Sequence, residues 1–204
     1  MSAAFARSVG GRLAHVTATQ NIPSIRAHGL LSAEALAQLA GVDPATLLLR
    51  RERRCVGRAL LNQQLPIVHG LRAARMVLDG HTPQSWAAQL DRRVFLWPCQ
   101  KVSRFAASFG RSVDTTILWL DPEALARAMG DRIDLSPLNS GSFEQGAARA
   151  VRGDWLYVPL QAGLEAFRTN RQSRGLKATR DVVREVSLRA PIPPDLLRKV
   201  LIDD

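Results

Sequence analysis

Two short β-rich runs, Val-Phe-Leu-Trp at 94–97 and Thr-Ile-Leu-Trp-Leu at 116–120, are each followed at once by a helix-opening signal, Pro98 and Asp121-Pro122. Strands that lead straight into helices must bury one face of a sheet under those helices, and this limits the chain to mixed architectures. Further strand patterns fall at 12–17, 133–135, 155–159 and 182–188, with a short final one at 199–202. The early part is helical instead. Asn21-Ile22-Pro23-Ser24 opens a helix that Gly29 stops, Ser32 caps a second that runs to Ala40 before Gly41, and Asp43-Pro44 starts a third. Helices are also predicted over 69–78 and, after Thr82-Pro83, over 84–90. The reading is an α+β chain. With 204 residues, no internal repeat and no low-complexity linker, a single domain over 1–204 is the simplest organisation.

Hydrophobic residues at 46% and charged residues at 23% exclude a wholly disordered or collagenous chain. No run approaches the roughly 18 apolar residues that cross a bilayer, and residues 1–12 lack an apolar core of signal-peptide length. A soluble, cytoplasmic protein with no membrane partner is therefore expected. The net charge is +10, and all of the 28 basic residues except Lys101, Lys177 and Lys199 are arginine. Arginine grips phosphate or carboxylate through two parallel hydrogen bonds, so this excess suits a polyanionic partner. Cys55 and Cys99 are too few and too far apart for a metal site or a disulfide framework. Both are expected as buried thiols, and no metal is expected.

Three segments carry side chains capable of chemistry. Alternation along 12–17 puts His15 and Thr17 on one face of a strand, and Asn21 follows where the chain turns into a helix. By themselves these residues read as a core histidine, a ladder threonine and a helix cap. In the run from Asp181 to Leu188, Glu185 shares a strand face with Val183 and Ser187. A carboxylate in mid-strand reads first as a solvent-facing residue. The segment from Leu135 to Ser142 is a polar turn in which Ser136 and Asn139 offer small donors and acceptors. Phe95 and Trp97 share one face of their strand and read either as core or as a wall for a flat ring.

Taken together, His15-Val16-Thr17 with Asn21-Ile22-Pro23-Ser24-Ile25 and His28-Gly29-Leu30-Leu31-Ser32 resembles the start of the DarT-like ADP-ribosyltransferases. In that family a strand ending in His-x-Thr precedes an asparagine, Pro-Ser-Ile and Gly-Leu-Leu-Ser. The aromatic strand 94–97, the strand ending at Asp121-Pro122, the turn Ser136-Pro137-Leu138-Asn139-Ser140-Gly141 and the terminal Arg184-Glu185-Val186 with Pro191-Ile192-Pro193 follow in similar order. The chain looks closest to an uncharacterised bacterial branch related to DarT. The resemblance spans nearly the whole chain and is dense at 13–32, 92–97, 133–143 and 182–193.

The resemblance implies an ADP-ribosyltransferase-like split β-sheet core with a helical insertion over about 33–91. It implies NAD as co-substrate, bound by His15, Thr17 and Asn21, with Glu185 catalytic. Arg51 is the candidate among Arg50, Arg51, Arg53, Arg54 and Arg58 for a downstream arginine that holds the pyrophosphate. Phe95 and Trp97 would stack on nicotinamide, where the family often has tyrosine, and Ser136 and Asn139 would line the site. The activity implied is transfer of ADP-ribose to a nucleic-acid base, as a toxin or defence effector restrained by an antitoxin or an ADP-ribosyl hydrolase. Protein as acceptor stays open. So do two other readings: a catalytically inactive nucleic-acid-binding protein on the same fold, and an NAD glycohydrolase.

Overall fold

The structure is a computed structural model describing residues 2–64, 78–102, 106, 113–141, 151–176 and 182–202. Its frame is a sheet of six strands, β1 (Leu13–Ala18), β4 (Val94–Pro98), β5 (Thr115–Leu120), β6 (Ile133–Ser136), β7 (Val158–Pro159) and β8 (Glu185–Leu188). They lie in the order β5-β1-β4-β8-β6-β7, and every pairing is antiparallel. A separate two-stranded hairpin joins β2 (Arg54–Val56) to β3 (Ala59–Leu61). The molecule is a mixed α+β fold with open sheets and several helices.

Among the described residues the helices are α1 (Ser2–Ser8), α2 (Ile22–His28), α3 (Ala33–Leu39), α4 (Pro83–Asp91), α5 (Pro122–Met129), α6 (Gly163–Ser173) and α7 (Pro194–Val200). Their starts follow local chemistry. Ser32 Oγ accepts from the Ala35 amide, and Asp121 caps α5 through the Glu123 and Ala124 amides. Thr82 and Ser85 form a reciprocal capping box ahead of α4. Gly29 ends α2 at φ 79°, and a Cβ there would lie 2.0 Å from the Ile192 carbonyl oxygen. That close approach lets Leu30 and Ile192 exchange two main-chain hydrogen bonds of 3.0 Å, joining the early Gly-Leu-Leu motif to the late Pro-Ile-Pro motif. Among the described residues no helix is long and apolar enough to cross a membrane.

The sheet has two unlike faces. Leu13, Leu96, Leu120, Ile133, Leu135, Val186 and Leu188 fill one, packed with Phe5 of α1, Leu125 of α5, Phe167 of α6 and Leu197 of α7. Removing each such side chain from water contributes about 1.5–3 kcal/mol, and this face is the main core. The register puts Asp134, Ser136, Glu185 and Ser187 together on the other face, with Phe95 and Trp97. There α4 lays the fully buried Trp86 beside Leu138, Leu156 and Tyr157, with Phe95 against them.

Several expectations need correction. The segment 199–202 is the end of α7 followed by a single bridge from Leu201 to Leu120, because Pro194 starts a helix that carries through the apolar residues. The segment 155–159 begins as a 3₁₀ turn and is extended only at Val158–Pro159, and β8 begins at Glu185 rather than at Val182. The region 33–91 holds the β2–β3 hairpin as well as helices. Gly57 at φ 57°, followed by Arg58 at negative φ, makes the tight turn that α-helical reading of this stretch passes over. Helix α6 was not foreseen. The helix expected from His69 falls on residues outside the described ones up to Leu78, which forms a bridge to Arg152. Neither cysteine is buried: Cys55 is exposed on the hairpin and Cys99 half-buried, since both stand on surface turns or edge strands.

Candidate active site

Glu185 opens β8 directly opposite Ser136, the last residue of β6. It is 2% exposed, which overturns the reading of a solvent-facing strand residue: its sheet face is covered by α4 and the turn after β6. Ser140 Oγ donates to Glu185 Oε1 at 2.7 Å, and the Ser140 main chain bonds the same carboxylate. Ser140 is itself fixed, because Trp86 Nε1 donates to its carbonyl at 3.0 Å and Asn139 Oδ1 accepts the Gly141 amide at 2.9 Å. Burial pushes Glu185 up to about 7, against the opposing pull of the Ser140 hydrogen bonds and of the Arg93 and Arg152 charges. Near neutral pH this carboxyl therefore populates both protonation states, a property suited to acid–base work.

Two arginines frame the carboxylate. Arg93 Nη1 donates to Asp134 Oδ2 at 2.5 Å and to Ser187 Oγ at 3.1 Å, while its guanidinium lies 3.7 Å from the centre of the Tyr157 ring. Tyr157 in turn stacks on Trp86 with ring centres 5.8 Å apart. Burial and the Glu185 charge push the Tyr157 phenol upward, so it stays a neutral hydroxyl. Arg152 is 1% exposed, donates to the Asn139 carbonyl at 3.4 Å, and is lowered by burial to about 10. Ser136 Oγ is buried with no hydrogen-bond partner among the described residues. A buried hydroxyl in that state costs free energy unless something bonds it, so an unsatisfied polar atom stands beside Glu185.

The other half of the predicted site lies on β1. Its ladder with β5 runs the full strand, but its ladder with β4 holds only Leu13↔Pro98 and Ala14↔Trp97. Just past that point His15 Nδ1 bonds the Phe95 carbonyl at 3.1 Å. A carbonyl only accepts, so Nδ1 carries the proton; burial lowers the imidazole pKa and keeps the ring neutral, leaving Nε2 as an acceptor. Thr17 is buried, and Asn21 Nδ2 donates to its Oγ1 at 2.9 Å. Asn21 stands at the N-cap position of α2, as expected, but its side chain makes no capping hydrogen bond. Its amide instead bonds Leu60 both ways, accepting from the amide at 2.7 Å and donating to the carbonyl at 3.0 Å, and so clamps the hairpin against the end of β1.

The two halves meet through β4. Phe95 offers its carbonyl to His15, pairs with Ser187 two residues beyond Glu185, and packs on both the Trp86–Tyr157 cluster and the Trp97–Val16 cluster. Its ring centre is 6.5 Å from that of Trp97. Strand β1 is two strands from β8, about 10 Å. Alternation continued from the Ala14↔Trp97 pair gives His15 the parity of Leu96, and Glu185 that of Trp97, so regular alternation sets the two side chains on opposite faces of the sheet, and the β1–β4 ladder ends before it reaches His15. Ser136 and Asn139 join the Glu185 cluster. Arg51 is exposed, and among the described residues no polar contact ties it to either half; Arg50 is committed to Asp91 at 2.7 Å.

The sequence reading missed Arg93, Arg152, Ser140, Asp134, Trp86 and Tyr157. One signal was present: Ile-Asp-Leu-Ser at 133–136 and Glu-Val-Ser-Leu at 185–188 both alternate polar with apolar residues, which marks paired strands sharing a polar face. Among the described residues no group of three or more His, Cys, Asp or Glu side chains is placed to hold a metal ion. No curated protein and no solved structure matches the chain. One family model does, over residues 11–200, and so takes in β1, the hairpin, β4 and the Glu185 strand alike. With nearly its whole length matched, the chain belongs to DUF7002, a family of unknown function.

Proposed function

We propose that the chain is a DarT-like enzyme on a split-sheet core that transfers ADP-ribose from NAD to a nucleic-acid acceptor, with Glu185 as its catalytic carboxylate. The observation that carries this reading is adjacency: the strands bearing His15, the Phe95–Trp97 pair and Glu185 are consecutive in the sheet, and the first two part after two residue pairs. Breaking the bond between nicotinamide and ribose builds positive charge on the sugar. Ionised Glu185 would lie against that charge and accept the proton released when an acceptor N–H attacks the ribose C1 carbon. Nicotinamide leaves neutral with the bonding electrons. His15 Nε2, held as an acceptor, suits a ribose hydroxyl, and Ser136 Oγ offers a second polar contact. Half-buried Phe95 is the aromatic better exposed to stack on a departing ring; Trp97 is 9% exposed.

The test is incubation with NAD labelled in its adenylate portion, beside separate pools of DNA, RNA and protein, for wild type and Glu185→Gln. Label fixed to nucleic acid by wild type alone is the expected result. Free ADP-ribose without a labelled pool would instead identify a glycohydrolase. Salt-sensitive nucleic-acid binding without NAD consumption would leave a binding protein and refute the transfer.

A further inference from the structure

We propose that the β2–β3 hairpin, with the residues leading into it, is a docking surface for the phosphodiester backbone of nucleic acid. Residues 50–58 read Arg-Arg-Glu-Arg-Arg-Cys-Val-Gly-Arg, five arginines against one acidic residue. Among the described residues two of the five have structural partners: Arg50 is buried on Asp91, and Arg53 Nε donates to Asn62 Oδ1 at 3.4 Å. Arg51, Arg54 and Arg58 are exposed, Arg58 at the tip of the turn and Arg54 about 10 Å from it along the strand. The inner residues Val56 and Ala59 are buried, Val56 against Ala37 and Leu47, and the Asn21 amide holds Leu60 from the other side. The guanidinium groups thus stand on an anchored ribbon, so docking costs them little backbone ordering.

The occupant follows from charge and from what the ribbon lacks. Exposed arginine forks spaced along one short run match the repeated phosphates of a polyanion. None of the hairpin's large apolar residues is exposed, so a lipid surface would find no wedge to bury. The surface adjoins β1 but is separate from the Glu185 cluster, and its binding goes beyond the transfer reading because it needs neither NAD nor Glu185. It also assigns Arg51 to the acceptor backbone in place of the NAD pyrophosphate.

The experiment is fluorescence anisotropy of a fluorescein-labelled 20-nucleotide single-stranded DNA titrated with the full chain, without NAD, from 50 to 200 mM salt, with RNA and duplex arms. Loss of three phosphate contacts should lower the slope of log affinity against log salt by about 2 in Arg51→Gln/Arg54→Gln/Arg58→Gln. Across that fourfold salt range the variant should therefore lose roughly 15- to 20-fold less affinity than wild type. Arg127→Gln/Arg132→Gln/Arg168→Gln removes the same charge from exposed positions elsewhere and should keep the wild-type slope. The lysine triple at 51, 54 and 58 should restore most of the binding, which separates lost contacts from lost folding. No wild-type binding, an unchanged slope in the hairpin variant, or equal loss in both glutamine triples would overturn the proposal. So would binding confined to acidic protein. Binding without NAD turnover would defeat the transfer reading and leave this surface standing.

Discussion

Replacing Glu185 by glutamine keeps the shape of the side chain and an oxygen able to accept from Ser140 Oγ, but removes a charge held at 2% exposure. The protonated acid is inexpensive to bury and the carboxylate is not, so its folded-state pKa, about 7, stands above the ordinary 4.5. Linkage then fixes the sign: wild-type stability from this group is fully present below about 4.5 and is lost as pH rises through about 7. Integrating between those values, burial of the ionised form costs about 3 kcal/mol at pH 8 and about 1 kcal/mol at pH 5. The glutamine variant should thus gain about 2 to 3 kcal/mol on wild type between pH 5 and pH 8. Urea unfolding of both proteins at the two pH values measures this directly. A difference that is flat with pH, or that shrinks toward pH 8, would refute the claim that Glu185 is a desolvated carboxyl and with it the acid–base role.

Four further outcomes are expected. NAD cleavage should rise with pH through about 7 and level off, because ionised Glu185 is the active form; a profile flat from pH 5.5 to 8.5 would contradict this. Gly29→Ala should destabilise by about 2 to 4 kcal/mol in thermal melts, since the new methyl meets the Ile192 carbonyl and disrupts the paired bonds with Leu30. Arg50→Ala should cost about 3 to 5 kcal/mol by stranding the buried Asp91 carboxylate, and adding Asp91→Ala should recover much of it; a double variant no more stable than the single one would refute the pairing. Asn21→Ala should raise hydrogen exchange at the Leu60 amide about tenfold with the core amides unchanged, reporting a hairpin released from β1.

Local signals were legible wherever the backbone obeys its own residues. Ser32, Asp121 and Thr82 cap the helices their side chains predict, Gly29 ends α2, and the strands at 13–18, 94–98 and 115–120 stand within a residue or two of their patterns. Chemistry between distant segments was less so. The isolated strand made Glu185 look solvated, because nothing in residues 181–188 says that Trp86 and Ser140 will close over it. Asn21 stands at a helix start as its pattern suggests, but its side chain looked like a capping group, because its partner Leu60 lies 39 residues away. Arg93 and Arg152 gave no sign among 25 arginines, since what singles them out is a cation carried out of water toward one carboxylate.

Element type, cap positions and the excess of positive charge are properties of short windows, set by side-chain sterics, periodicity and composition, and the amino-acid sequence by itself determined them. The pairing of β4 with both β1 and β8, the opening of the β1–β4 ladder at His15, and the low dielectric around Glu185 were decided only by the tertiary structure. Register and desolvation depend on which remote surfaces meet, and no window of the chain contains both partners.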